Sequence, residues 1–174
     1  MRKGLAAVAL PLVLALAPAG VEAAGRTVSL GAGRVDPQGV GAALWFTAGL
    51  RWSVARNLFV EPEGGYWKKK DTSPAGESSV EDLAGAVNVV YRFPTRRPLA
   101  FFAGGGVGLH LIRSSFTLAD TLTVSDRELK QGLHLLAGAE YGKGNTLKVF
   151  VEVRHDLVAD LGQSKACAGI RLGI

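Results

Sequence analysis

The chain carries a single cysteine, Cys167, in 174 residues, so no disulfide can close within it. Small exported domains often use disulfides to compensate for a small core, and their absence points to another source of stability. After the first 24 residues, no apolar run reaches the ~20 residues that a helix needs to cross a bilayer. The longest greasy piece, residues 99–112, holds four glycines and His110, which suits a strand better than a helix. No basic helix or aromatic–basic patch is present, and the net charge of +5 is modest, so no nucleic-acid partner is expected. Gly104-Gly105-Gly106 is followed by no Lys-Ser/Thr and opens no helix, which excludes a phosphate loop.

What is present begins with an export signal. Arg2 and Lys3 form a short basic region, residues 5–16 are apolar with Pro11 inside, and Val21-Glu22-Ala23 supplies a cleavage site. Residues 1–23 therefore read as a secretory signal peptide. No cysteine follows the apolar stretch, so lipoprotein processing is not expected. Residues 24–174 remain as one domain.

That domain alternates. In the last nine residues, Ala166, Ala168, Ile170, Leu172 and Ile174 share one parity, while Arg171 and two glycines share the other. Side chains on a strand point to opposite faces with period two. The same pattern recurs in strand-length pieces at 26–34, 43–54, 58–68, 80–93, 99–112, 132–141 and 146–157. Pro62 cannot donate to a ladder and predicts a kink in the third piece. The connections at 55–57, 94–98 and 142–145 are tight. Those at 35–42, 69–79, 113–131 and 158–165 read as longer loops. Short turns on one side and long loops on the other mark an all-β, eight-stranded antiparallel up-and-down transmembrane barrel. Even strand number puts both termini on the periplasmic side. A closed sheet pairs every backbone group, as a bilayer core without water requires.

Alternation alone leaves open which face meets lipid, since a soluble lipocalin-like barrel turns its apolar face inward. The other face decides it. It carries Arg51, Arg92, Lys148, Arg154 and Arg171 against Glu61, Glu63, Asp82, Glu140, Glu152 and Asp156. Near-balance of sign is what a narrow barrel needs to neutralise charges inside. Trp52, Tyr66, Tyr91, Phe93 and Tyr141 sit near strand ends on the apolar face, where membrane proteins place interfacial aromatics. An eight-stranded interior is just wide enough for side chains to fill, so passage of large solutes is not expected. His110, His134 and Glu140 share the inner face and read as polar filling; no metal, cofactor or catalytic residue is expected. Lys68-Lys69-Lys70 opens the second long loop and reads as solvated, with contact to lipopolysaccharide phosphates as the alternative; residues 114–131 form the longest loop, the best candidate for recognition.

Val89-Val90-Tyr91-Arg92-Phe93-Pro94, then Arg97-Pro98 leading into Phe102-Ala103-Gly104-Gly105-Gly106-Val107-Gly108-Leu109, resemble the small outer-membrane barrels of the OmpA/OmpX type. Leu136-Ala137-Gly138-Ala139-Glu140-Tyr141 and Val151-Glu152-Val153-Arg154 are similar to strands of that family, the outer membrane protein beta-barrel domain group. The resemblance implies an outer-membrane location, lipid and lipopolysaccharide contacts, insertion by the barrel-assembly machinery, and a monomer. The family's terminal strand usually ends in an aromatic residue; here it ends in Ile174. The fold hosts several tasks. The expected role is structural or surface-interaction through extracellular loops, without catalysis. The alternatives are a narrow channel and a lipid A deacylase of the PagL kind. Around His155 the latter's serine, two residues on, is replaced by Leu157, and Ser164 lies beyond a predicted loop.

Overall fold

The computed structural model describes residues 25–74, 76–95, 98–118, 122–142 and 146–174. The signal peptide expected at 1–23 lies outside the described residues. Eight strands follow: β1 (Thr27–Pro37), β2 (Ala43–Ala55), β3 (Leu58–Ser73), β4 (Gly76–Arg92), β5 (Leu99–Leu118), β6 (Leu122–Tyr141), β7 (Leu147–Val158) and β8 (Leu161–Gly173). Each pairs antiparallel with its sequence neighbours, and β1 pairs β8, closing the ring.

Parity is kept around this ring. Leu44, Val107 and Leu135 are each 60% exposed, while their neighbours Trp45, Gly108 and Leu136 turn inward. Outward aliphatic residues on every strand make one continuous apolar belt. Monomers in water rarely expose more than a few hundred Å² of contiguous apolar surface, whereas a lipid-facing barrel needs such a belt. The arrangement is the reverse of a soluble barrel.

Pro62 acts as its chemistry requires. The β2–β3 ladder is interrupted where Leu50 and Arg51 pass Pro62 and Glu61, and pairing resumes in the same register at Trp52–Val60. Pro62 still faces Val87 on β4. The register shift lies further on, between Ser53 and Ala55.

The predicted long loops are corrected. Residues 69–73 and 76–79 continue β3 and β4 as paired strands, and residues 113–118 and 122–131 are the paired ends of β5 and β6. Residues 158–165 hold only a tight turn, in which Asp160 takes a positive φ of 61°. Asp tolerates that region and can replace glycine in such a turn. Asymmetry therefore lies in strand length: β5 and β6 have 20 residues each, against 11 in β1. The physical cause is local. Phe116, Leu118, Leu122 and Val124 alternate with Ser115, Thr117, Thr123 and Ser125, a pattern rich in strand-forming residues.

On the end away from the termini, β3 to β6 thus rise beyond the ring. β2 pairs β3 only as far as Trp67, and β7 pairs β6 only as far as Gly132. Residues 68–73 and 122–131 are consequently free edges of a four-stranded extension.

Candidate functional site

The sequence offers two places for function, the lumen and the far end. Every predicted lumenal charge has inward parity, and the contacts sort them into three levels. Nearest the termini, Glu140 gathers cations from four strands: Arg92 at 2.8 Å, Arg171 at 3.0 Å, Lys148 at 3.5 Å and Arg51 at 3.8 Å. Arg51 also pairs with Glu61. In the middle, Arg154 grips Glu63 through two hydrogen bonds of 2.6 and 2.7 Å and Glu152 at 2.8 Å. Such a fork-to-carboxylate contact fixes geometry as well as charge.

The uppermost level departs from the expectation. Among the described residues Asp82 pairs with no Arg or Lys. Its Oδ2 accepts from Gln163 at 2.9 Å and contacts His110 Nδ1 at 2.8 Å. Asp156 contacts His134 Nδ1 at 2.8 Å and pairs with Lys165. Trp67 Nε1 donates to Gln163 Oε1 at 3.2 Å. Glu140, grouped with the histidines by parity alone, lies with the arginines instead. Gln163 and Lys165 were missed because their segment read as loop. Their odd parity, shared with Arg171, was the available signal.

These contacts cross the bore. Arg51–Glu140 joins β2 to β6, Glu63–Arg154 joins β3 to β7, and Asp82–Gln163 joins β4 to β8. In a ring of eight, each pair sits four strands apart, on opposite walls. Aromatics fill the space between. Arg171 lies over Phe102 and Phe150, and Arg154 and Lys165 lie over Trp45. Trp45, Trp67 and Phe102 are each 1% exposed.

The predicted aromatics all point outward, unevenly along the axis. Trp52, Tyr91, Phe93 and Tyr141 lie toward the end holding the termini, with Tyr91 and Phe93 edge to face at 5.3 Å. Tyr66 stands alone at the far end. It heads a row of paired outward residues, Tyr66–Leu83–Leu111–Leu129, that closes the apolar belt across β3 to β6. The next outward row is Lys68–Glu81–Arg113–Arg127. Glu81 contacts Lys68 and Arg113, each at 3.2 Å. Burial raises its carboxyl pKa, but those two cations outweigh it and hold the group below its ordinary range.

Above this row the inner face is apolar only at the tip of β5 and β6, while its β3–β4 half carries Asp71, Ser73 and Ser78. Phe116 stands opposite Val124, and Leu118 opposite Leu122; exposures run from 42% to 61%. On the lipid-facing side, one prediction about chemistry is corrected. His155 and Ser164 are direct partners across β7–β8, and His155 Nδ1 lies 3.1 Å from Ser164 Oγ. Arg34 and Asp36 line the same shallow cleft of about 560 Å³. Asp36 pairs in register with Ser164, not with His155.

The sequence matches the outer membrane protein beta-barrel domain family over residues 5–168, and the chain belongs to that family. No curated protein is significantly similar in sequence. Among solved structures, a major outer membrane protein of Thermus thermophilus is similar with a TM-score of 0.70 and 14% identity, covering 88% of this chain and 100% of that one. The attachment invasion locus protein Ail of Yersinia pestis, bound to the heparin analogue sucrose octasulfate, is similar with a TM-score of 0.65 and 13% identity, covering 87% and 99%. The outer membrane enzyme PagL is similar with a TM-score of 0.51 and 19% identity, covering 83% and 97%. At these identities the likeness is one of fold.

Proposed function

We propose that this member of the outer membrane protein beta-barrel domain family is a non-conducting, non-catalytic outer-membrane protein that works by surface contact, through the sheet formed by the ends of β3 to β6. The observation that carries the reading is the contrast between the bore and the far end. The bore is crossed at three levels by side-chain contacts between opposite walls. The far end leaves Phe116, Leu122 and Val124 exposed, beside two strand edges with no ladder partner among the described residues.

In this reading the termini face the periplasm, after export and insertion by the barrel-assembly machinery, and the barrel is a monomer. Lys68, Arg113 and Arg127, just beyond the apolar belt, meet lipopolysaccharide phosphates. Cation rows at that depth gain from a partly desolvated setting. The sheet then stands about 17 Å clear of that row along the strands, taking ~3.3 Å per residue.

The test compares cells displaying the wild-type barrel with cells displaying a variant whose residues 114–126 are replaced by a four-residue turn. Heat-modifiable mobility checks that both are folded in the outer membrane. Adhesion to heparin-coated and abiotic surfaces and cell–cell aggregation are then measured. Loss of surface contact with the shortened hairpin is expected. Equal behaviour of the two strains overturns the reading.

The His155–Ser164 hydrogen bond favours a second reading, a lipid-facing esterase in which His155 takes the proton as Ser164 attacks an acyl ester. Against it, Asp36 sits beside the serine and does not orient the imidazole. Mass spectrometry of lipid A from expressing and non-expressing cells separates the two. An unchanged acyl pattern supports the surface role, and an acyl loss abolished by Ser164→Ala supports the esterase.

A further inference from the structure

The upper lumen holds two imidazoles that the charge network does not use. His110 and His134 are 0% and 2% exposed, and their rings stack 5.4 Å apart at 20°. Each is held the same way: Nδ1 contacts a buried carboxylate at 2.8 Å, Asp82 for His110 and Asp156 for His134. In a neutral imidazole whose Nδ1 donates to a carboxylate, Nε2 keeps its lone pair. Both Nε2 atoms are buried without a hydrogen-bond partner among the described residues. A buried acceptor left unsatisfied is costly, and native interiors hold few of them.

The backbone makes room at those nitrogens. Gly108 and Gly132 stand directly opposite each other on β5 and β6. A Cβ on Gly108 would stand 2.4 Å from His134 Nε2, and one on Gly132 would stand 3.1 Å from His110 Nε2. Any other residue at position 108 would collide with the ring atom that has no partner. One ligand-capable atom from each of His110, His134 and Asp156 lies within 4.8 Å of the other two. The local charge also favours a cation: two carboxylates, Asp82 and Asp156, face one ammonium, Lys165.

We propose that His110 and His134 form a binding site for an imidazole-preferring divalent metal ion, of the Zn²⁺, Ni²⁺ or Cu²⁺ class, through their Nε2 atoms. Asp82 and Asp156 act as the outer partners that fix tautomer and ring orientation, as carboxylates do behind metal-bound histidines. Water completes the coordination. The four residues come from four successive strands, β4 to β7, so the ion ties together one half of the wall. The site lies beneath the apolar cluster of Val35, Val158 and Leu161, with Val80 and Ile112 packed against it. That cover excludes bulk water and strengthens the nitrogen–metal contacts.

The experiment uses the full barrel purified from outer membranes, untagged and stripped with chelator, titrated with ZnCl₂ by calorimetry in detergent. The chain has three histidines in all, so each can be tested. One ion per barrel is expected. His110→Asn and His134→Asn should each abolish binding, Asp82→Asn should weaken it about 10–100-fold, and His155→Ala should leave it unchanged. Should the lumenal variants fail to fold, zinc X-ray absorption on the wild-type barrel still decides. Two imidazole nitrogens at about 2.0–2.1 Å are expected, and an oxygen-only shell overturns the site. A flat titration, as when a proton on one imidazole balances the carboxylates instead, overturns it. So does binding that survives both histidine substitutions or is lost in His155→Ala.

Discussion

Replacing Glu63 by Gln tests whether the lumen is packed or merely wet. Arg154 spans Glu63 with bonds of 2.6 and 2.7 Å, and the two side chains are 2% and 7% exposed. Glu63→Gln keeps the volume and removes the charge. Breaking a buried pair from one side costs about 3–5 kcal/mol, because the surviving charge is stranded. Arg154 retains Glu152 at 2.8 Å, which places the expected loss at the lower end, about 3 kcal/mol. That is roughly a 100-fold fall in the folding equilibrium constant. Glu63→Met combined with Arg154→Met removes both charges, and Glu152 keeps Arg171 at 3.8 Å. Replacing a buried pair by apolar side chains is often neutral or stabilising, so the double variant should recover at least half of the loss. Equilibrium urea unfolding in phospholipid vesicles reads both, through tryptophan fluorescence, to which Trp45 contributes with its ring 5.6 Å from the Arg154 guanidinium. A loss below about 1 kcal/mol for Glu63→Gln, the range of exposed ion pairs, would refute the reasoning. The lumen would then be a water-filled channel.

Further outcomes follow from single residues. A Cβ on Gly169 would stand 2.1 Å from the Leu30 carbonyl oxygen and 2.7 Å from the Phe150 ring. Gly169→Ala should therefore cost about 1–3 kcal/mol by overpacking, measured by the same unfolding assay. The Glu81 carboxyl should titrate below the ordinary 4.5 in a carbon-detected NMR titration of the folded barrel. Its contribution to the extension is present above the ordinary carboxylate pKa and is lost as pH falls through the lowered value. Arg113→Ala removes one of the two cations and should move that titration upward. Proline in place of Val124 should disorder the hairpin tip, read by faster amide exchange at Thr117 and Thr123, while the belt at Val107 and Leu135 keeps its protection.

The architecture was legible because the ring obeys one rule. Wherever a strand has lipid on one side and a packed lumen on the other, apolar and polar residues must alternate, and eight such stretches can be read directly. Parity also placed every predicted charge inside. Legibility ended where lipid ended. Beyond Leu111 and Leu129 both faces of the hairpin meet water, and Ser114, Asp126, Glu128 and Lys130 break the apolar run on the inner face, so residues 113–131 read as loop. Partners across the bore were not legible either. Asp82 shares its parity with Arg92 but contacts His110 and Gln163, because parity gives the side of a residue and not which residues of the opposite wall stand at its level. The His155–Ser164 pair was hidden for the same reason as Lys165: a turn of Ala159 and Asp160 alone brings them into register.

The central claim is a membrane-spanning barrel whose bore is closed by its own side chains. Its most direct test is conductance across planar bilayers, using protein from outer-membrane fractions with heat-modifiable mobility as proof of folding. The account predicts insertion without discrete conductance steps, for the wild type and for Lys148→Glu alike. Reproducible steps whose ion selectivity changes in Lys148→Glu would contradict it.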